Sequence, residues 1–206
     1  AASAGRRALR NLCLSYLSEV GMRALCYEQF KSADNMTDAM AALVALANLD
    51  CEERQLALEE FHARWQDEPL VVDKWLAVQA GSRLPGTLAR VKELLAHPAF
   101  DLKVPNKVYA LIRGFSANHV RFHAADGSGY EFLADRVIEL NALNPQVAAR
   151  MARALENWRN QQIAGIKDPA SMPKVSELKI SDDELRESIE TNQLAKMKER
   201  GSDLTV

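Results

Sequence analysis

Apolar residues recur at intervals of three and four along almost the whole of this 206-residue chain, and no segment shows convincing two-residue alternation. Intervals of three and four place side chains on one side of an α-helix, whereas alternation is typical of a half-buried β-strand. The pattern therefore predicts an all-α fold. The clearest amphipathic stripes are Leu9, Leu12, Tyr16 and Val20; Met36, Met40, Leu43 and Ala47; Leu58, Phe61 and Trp65; Val71, Trp75 and Val78; and Leu88, Val91 and Leu95.

Signals for helix ends agree with these stripes. Capping-box spacing predicts helix starts at Asp50 (with Glu53), Ser128 (with Glu131) and Ser181 (with Glu184). Asn144 followed by Pro145 predicts a further start, with proline at the first helical position. Other boundaries are predicted by Pro69, Pro85, Pro98 and Pro105. Short polar links between the helices predict antiparallel pairs stacked into a superhelical solenoid.

The composition changes near residue 160, which divides the sequence into three parts. We predict a helical domain over 1–159, an extended linker or strap over 160–180 that contains Pro169 and Pro173, and a short charged helix with a tail over 181–206. A helix with so thin an apolar stripe needs a surface to pack against. Its predicted docking residues are Leu185, Ile189, Leu194 and Met197.

Composition and charge exclude several classes of protein. Hydrophobic residues make up 48% of the chain and charged residues 26%, which argues against wholesale disorder. The formal net charge is -2 and the basic residues are dispersed, so we expect no nucleic-acid partner. No apolar run reaches the length of about 18 residues needed for a membrane span.

The three cysteines, Cys13, Cys26 and Cys51, are an odd number without CxxC spacing. This pattern predicts small buried hydrophobic residues rather than a disulfide framework or a zinc knuckle. We therefore expect an intracellular, reducing location, either the cytoplasm or an organelle matrix or stroma. The sequence begins at Ala1 without a methionine, which we interpret as processing or as excision from a longer protein.

Common catalytic motifs such as HExxH, the Walker glycine loop and GxSxG are missing from the sequence, so we expect no catalytic residues and no enzyme activity on this chain. His119 and His123 have the four-residue spacing of helical metal ligands, but they lack an obvious third ligand. We expect hydrogen-bonding histidines there, and a helix cap rather than a phosphate loop at 126–130. The tryptophans Trp65, Trp75 and Trp158 are predicted to be core anchors.

Five short strings carry a resemblance to a known family: ADNMTD at 33–38, LVVDKW at 70–75, HPAF at 97–100, FHAADGSGY at 122–130 and NPQVA at 144–148. In unbroken order over residues 5–159, they resemble the C-terminal domain of bacterial-type aminopeptidase N, a zinc metallopeptidase of the gluzincin class. The resemblance implies a superhelical domain that caps a catalytic domain. It also implies that zinc belongs to that other domain, so this chain carries no cofactor of its own.

Two cavity-lining positions follow from the resemblance alone. Arg150 matches a family arginine that faces the internal cavity, and Tyr109 falls where bacterial members carry a second arginine. Tyrosine lacks the fixed charge and the bidentate geometry of arginine, so a carboxylate-binding role at this position is not implied for this chain. The tail after Arg159 is a second departure from the family pattern.

Three functional hypotheses remain open at this point. The first is a non-catalytic helical domain that acts as a structural or interaction subunit of a larger assembly, through protein partners. The second is a cavity-capping C-terminal fragment of an active zinc aminopeptidase, in contact with its catalytic domain. The third is a peptide-binding solenoid.

Overall fold

The computed structural model describes residues 2–156, and all of the regular elements in that range are helical. This confirms the predicted all-α class for the described residues. The helices are α1 (Ala2–Glu19), α2 (Arg23–Ser32), α3 (Met36–Ala47), α4 (Glu52–Trp65), α5 (Pro69–Ala80), α6 (Thr87–Leu95), α7 (Pro105–Val108), a π-helix (Tyr109–Arg113), α8 (Gly114–Ser116), α9 (His119–Phe122), α10 (Ser128–Leu143) and α11 (Pro145–Glu156).

The chain forms two compact units. Among the described residues, the first comprises residues 2–101 with Asn106–Arg121, and the second comprises Leu102–Pro105 with residues 122–156. In the second unit, α10 packs along α11. None of the described helices is both long enough and apolar enough to cross a membrane.

The first unit is built from two rows of helices. In one row α1 packs on α3, α3 on α5, and α5 on the π-helix, while in the other row α2 packs on α4. Successive helices are joined by short links and therefore alternate between the rows, as in helical-repeat proteins. The core between the rows contains large side chains that are almost fully buried, among them Leu43, Leu46, Phe61, Leu76, Leu111 and Phe115.

The stripe predicted on α1 is not a core face, and that expectation is corrected. Leu9, Leu12, Tyr16 and Val20 are all exposed, whereas Leu14 and Ser18 on the other side of the helix are buried. Periodicity identifies an apolar face but not the element that covers it. On α5 the buried face likewise runs through Val72, Trp75, Leu76 and Gln79 rather than through Val71 and Val78.

Two predicted helix caps are corrected and one is confirmed. The N-cap of α4 is Cys51 rather than Asp50, and α10 begins at Ser128 itself, after Gly127 in a left-handed conformation. Gly127 suits that backbone because a positive φ is costly for residues with a Cβ. The cap at α11 forms as predicted, because the Asn144 side chain accepts a hydrogen bond from the Val147 amide at 3.2 Å.

Candidate functional site

The outer face of α1 and the turn after it expose a set of apolar side chains, which we call the α1 stripe: Leu9, Leu12, Tyr16 and Val20. Their exposed fractions are 63%, 53%, 70% and 75%. Steps of three and four residues place Leu9, Leu12 and Tyr16 in one row along α1, and Val20 lies in the turn that follows Glu19. Contiguous exposed apolar side chains of this size mark interaction surfaces.

A polar cluster around the buried Asp38 fixes the opposite side of α1 to α2 and α3. The Asp38 carboxylate on α3 accepts hydrogen bonds from Asn11 at 2.9 Å and from Asn35 at 2.7 Å, and it pairs with the Arg10 guanidinium. Gln29 on α2 donates to the Asn11 side-chain oxygen at 2.9 Å. Because these contacts join three helices, the orientation of α1 and hence of its exposed stripe is set by the fold.

The electrostatics of this cluster favour an ionised Asp38. Burial alone would raise the pKa of the Asp38 carboxyl, but the hydrogen bonds from Asn35 and Asn11 and the charge of Arg10 together lower that pKa below its usual value. Asn35 also caps α3, since its side-chain oxygen accepts from the Asp38 amide at 3.0 Å. No helix start was predicted at this position, although asparagine is a favoured N-cap residue and Asp38 stands at the third helical position.

A shallow groove of about 300 Å³ lies between α3 and α5. Its walls are mainly apolar, with Met40 and Val44 on α3 and Val78 on α5, and the exposed Lys74 stands at its edge. An apolar lining suits an apolar side chain of a bound peptide, and the Lys74 ammonium group at the edge suits a carboxylate on the same peptide.

Two histidines and a tryptophan form a ring cluster in the first unit. The His62 ring centroid lies 4.4 Å from that of Trp75 and 5.2 Å from that of His97, and Trp75 donates from Nε1 to the Leu58 carbonyl at 2.9 Å. Burial, together with His62 and Arg90, lowers the pKa of His97. Trp75 is buried and is a core anchor, as predicted. Trp65 is only half-buried, so the prediction of a core anchor was wrong for Trp65.

The histidine pair predicted at His119 and His123 does not share a helix face, because α9 ends at Phe122. The His123 ring makes a hydrogen bond with the Tyr130 hydroxyl, which confirms a hydrogen-bonding histidine at this loop. Among the described residues no group of three or more histidine, cysteine, aspartate or glutamate side chains could hold a metal ion.

At the start of α10 the N-cap is Gly127 and no side chain caps the helix, so the predicted Ser128–Glu131 box is wrong. The Asp126 carboxylate in the preceding turn accepts from the Ser128 amide at 3.0 Å and from its hydroxyl at 2.7 Å. These hydrogen bonds lower the pKa of Asp126. Both donors of Ser128 are therefore bonded within the loop.

The two cavity positions lie in different units. Tyr109 is half-buried at the first residue of the π-helix, with Arg113 exposed at its last residue, and Arg150 is exposed on α11. A π-helical turn has no reliable sequence signature, and such turns are frequent at functional sites. The cavity roles of Tyr109 and Arg150 stay predictions.

The cysteines differ from one another. Cys26 is buried and Cys51 is half-buried, and burial raises the pKa of both thiols. Cys13 is exposed on α1, which corrects the expectation that all three cysteines are buried.

The predicted linker at 160–180 and the docking residues on the last predicted helix lie outside the described residues, as does Trp158. The docking residues in question are Leu185, Ile189, Leu194 and Met197.

Comparison with known proteins places these features in a family. A family profile described as "Domain of unknown function (DUF3458_C) ARM repeats" matches residues 1–164. Aminopeptidase N of Caulobacter vibrioides is 44% identical over 163 residues, which are 77% of this chain and 19% of that protein. Aminopeptidase N of Escherichia coli is 41% identical over 154 residues, which are 73% of this chain and 18% of that protein.

A solved structure agrees with the sequence matches. Legionella pneumophila aminopeptidase A, determined in complex with aspartic acid, aligns with a TM-score of 0.74 and 31% identity over 92% of this chain and 23% of that chain. The chain thus spans about a fifth of the length of the curated relatives it matches, and the match falls on their C-terminal helical domain rather than their catalytic domain. The chain therefore belongs to the DUF3458_C family of ARM-repeat domains, the C-terminal domains of aminopeptidase N-like proteins.

Proposed function

We propose that this chain is a non-catalytic helical domain that acts as a structural or interaction subunit of a larger assembly derived from an aminopeptidase N-like protein. The observation that carries the proposal is the α1 stripe: three large apolar side chains are exposed on α1 and a fourth, Val20, in the turn after it, while the other side of the helix is fixed by the Asp38 cluster. Covering that surface with a protein partner removes apolar area from water, which is the usual driving force of association.

The experiment combines an activity assay with an association assay. The purified full chain, given zinc and an alanyl chromogenic substrate, should show no turnover; measurable hydrolysis would refute the non-catalytic assignment. Mixed with the separately produced remainder of Caulobacter vibrioides aminopeptidase N outside the matched region, the chain should form a 1:1 complex by light scattering. Failure of the two to associate would contradict the contact function.

A second candidate is the cavity-capping fragment of an active zinc aminopeptidase, favoured by 44% identity to a complete enzyme. The same mixture separates the two. If the remainder of the enzyme hydrolyses substrate only when this chain is added, the fragment hypothesis is correct and the zinc site belongs to the other polypeptide. Complex formation without a gain in hydrolysis favours the structural subunit.

A peptide-binding role is supported by the groove between α3 and α5. A labelled extended peptide with a large apolar residue near a carboxylate is the probe. Val78→Glu should abolish binding in the groove and Tyr16→Glu should leave it unchanged, whereas the reverse result would assign binding to the α1 stripe.

An intracellular, reducing location, the cytoplasm or an organelle matrix or stroma, fits the exposed thiol of Cys13, which would oxidise readily elsewhere. The measurement is the oxidation state of Cys13 in protein isolated with rapid alkylation. A fully reduced thiol is expected, and a mixed disulfide would contradict this location.

A further inference from the structure

Arg54, in the first turn of α4, has no hydrogen-bond or salt-bridge partner among the residues that the structure describes. Its Nε atom is buried from solvent. Two other described side chains also have a buried atom without a hydrogen bond, but each has a salt-bridge partner: Asp73 with Lys107, and Arg136 with Glu139. An unbonded buried donor costs free energy of folding, so Arg54 points to an acceptor that comes from solution.

The side of α4 that contains Arg54 faces α5. Arg54, Leu58 and His62 follow one another at four-residue steps, which places them on one side of α4. On that side Trp75 of α5 donates to the Leu58 carbonyl at 2.9 Å, and its ring lies 4.4 Å from the His62 ring. A short link joins the two helices, so they run in opposite directions. The next turn of α5, at Gln79, therefore lies towards Arg54.

Arg90 on α6 reaches the same turn of α5. Its Nε atom donates to the Gln79 side-chain oxygen at 2.9 Å. Gln79 is fully buried, and its own amide nitrogen donates to the Trp75 carbonyl at 3.2 Å. A second nitrogen of Arg90 donates to Glu93 at 2.9 Å. These bonds hold the Arg90 guanidinium group over the part of α5 that faces Arg54.

The charges of the two guanidinium groups act on each other. Burial and the charge of Arg90 lower the pKa of Arg54, and the exposed Asp50 opposes that shift. Burial, His62 and Arg90 lower the pKa of His97, so the charge of Arg90 is felt on both sides. Like charges that are brought together by folding repel each other. An anion between Arg54 and Arg90 removes that repulsion and supplies the missing acceptor.

We infer that Arg54 and Arg90 form a binding site for a phosphate group. A guanidinium group presents parallel N–H donors that match phosphate oxygens, and a tetrahedral dianion accepts from two such groups at once. The shared chemistry is the phosphate dianion, either as the free ion or as the monoester of a small molecule. The site uses none of the residues of the α1 stripe, so it goes beyond the contact function and does not depend on it.

The first measurement is the thermal unfolding midpoint of the full chain against the concentration of inorganic phosphate, at an ionic strength held constant with sodium chloride. A ligand that binds only the folded chain raises this midpoint once its concentration exceeds the dissociation constant. Phosphate also stabilises proteins generally, because it is excluded from their surfaces. The difference between the wild type and its variants therefore carries the result.

The variants separate binding from folding. Arg54→Met keeps the apolar stem, removes the unbonded donor, and should weaken phosphate binding by about tenfold or more. Without phosphate it should be as stable as the wild type or slightly more stable, because a buried unsatisfied donor is lost. Arg90→Gln should weaken binding similarly. Arg64→Met, on the same helix, removes a guanidinium group that pairs with Glu60 and should leave binding unchanged.

An NMR titration of the His97 ring locates the ligand. A phosphate dianion beside Arg90 offsets the charge that lowers the pKa of His97, so this pKa should rise when phosphate is added to the wild type. It should rise less in Arg54→Met. Phosphate binding that leaves the His97 pKa unchanged would place the anion elsewhere and overturn the inference.

Glycerol phosphate and acetate separate the ligand classes. Equal affinities for inorganic phosphate and glycerol phosphate would support a site for monoesters, and affinity for inorganic phosphate alone would support a site for the free ion. Acetate that binds as tightly as phosphate would overturn the phosphate assignment. Equal phosphate stabilisation of the wild type and Arg54→Met would overturn the site itself. None of these measurements involves a partner protein, so each outcome leaves the contact function to its own test.

Discussion

Leu14 and Tyr16 are two residues apart on α1 and lie on opposite sides of the helix, with exposed fractions of 3% and 70%. A step of two residues rotates the side chain by more than half a turn, so a helix with apolar residues at both positions presents two apolar faces. In the described part of the chain one face is covered by α2 and α3, and the other is exposed. The proposed contact function depends on that asymmetry.

Stability measurements should separate the two faces. Leu14→Ala creates a cavity in a packed interface and should lower the free energy of unfolding by about 2 to 4 kcal/mol. Tyr16→Ala removes an exposed side chain and should change it by less than about 0.5 kcal/mol. Urea denaturation of the isolated chain measures both. Equal losses would mean that Tyr16 is covered within the chain.

The Asp38 cluster should be a major support of α1. Asp38→Ala leaves Asn11 and Asn35 without their acceptor and should lower the free energy of unfolding by about 2 to 3 kcal/mol. Arg10→Gln should cost less than about 1 kcal/mol, because the Arg10 side chain is largely exposed to solvent. A larger loss for Arg10→Gln than for Asp38→Ala would contradict this ranking.

The lowered pKa of Asp38 also predicts acid sensitivity. The native state favours the ionised carboxyl, so this contribution to stability is fully present above the ordinary aspartate pKa of about 3.9 and is lost as pH falls through the lowered native value. Acid denaturation followed by circular dichroism should show a smaller loss at low pH in Asp38→Asn. Identical acid profiles in both proteins would refute the assignment.

The ring cluster predicts a second, milder pH effect. His97 is held neutral: its pKa is lowered, and its Nδ1 accepts from the Ala99 amide at 3.1 Å. Stability from this source is therefore full above the ordinary histidine pKa of about 6.5 and falls as pH drops from there towards the lowered value. Unfolding at about pH 8 and about pH 5.5 should show this loss in the wild type but less of it in His97→Gln.

Gly129 is required by a close approach within the second unit. A Cβ at Gly129 would lie 2.2 Å from the Phe122 carbonyl oxygen, a backbone atom that cannot move aside alone. Gly129→Ala should therefore lower the free energy of unfolding by about 1 to 3 kcal/mol. Gly5→Ala, where a Cβ meets nothing within 4 Å, should be neutral or slightly stabilising. Thermal unfolding of the two variants is the measurement, and a neutral Gly129→Ala would contradict the contact.

Several parts of the fold could be predicted from the sequence because local chemistry determines them. Helical periodicity predicted the class, and Asn144–Pro145 predicted the start of α11, since a cap and its helix are adjacent in sequence. The capping-box rule was wrong at α10, because Ser128 is the first helical residue and its amide and hydroxyl are bonded to Asp126 in the preceding turn. Nothing local marks the π-helical turn at Tyr109–Arg113.

The candidate site was harder to predict than the fold. The sequence identified Leu9, Leu12, Tyr16 and Val20 as one face, but burial depends on contacts with residues far along the chain. The side that packs is marked by polar residues, Asn11 and Ser18, which a hydrophobic pattern assigns to solvent. Ser18 is buried and Asn11 is half-buried, and Asn11 donates a hydrogen bond to Asp38, 27 residues further along the chain, which joins that side of α1 to α3.

The contact function of α1 is tested by the dissociation constant of the full chain with the remainder of Caulobacter vibrioides aminopeptidase N, measured by titration calorimetry for the wild type, Tyr16→Glu and Leu70→Glu. We expect a 1:1 complex that Tyr16→Glu weakens by about thirty-fold or more and that Leu70→Glu leaves unchanged. Equal affinities for all three proteins, or no heat of binding for the wild type, would contradict a contact function centred on α1.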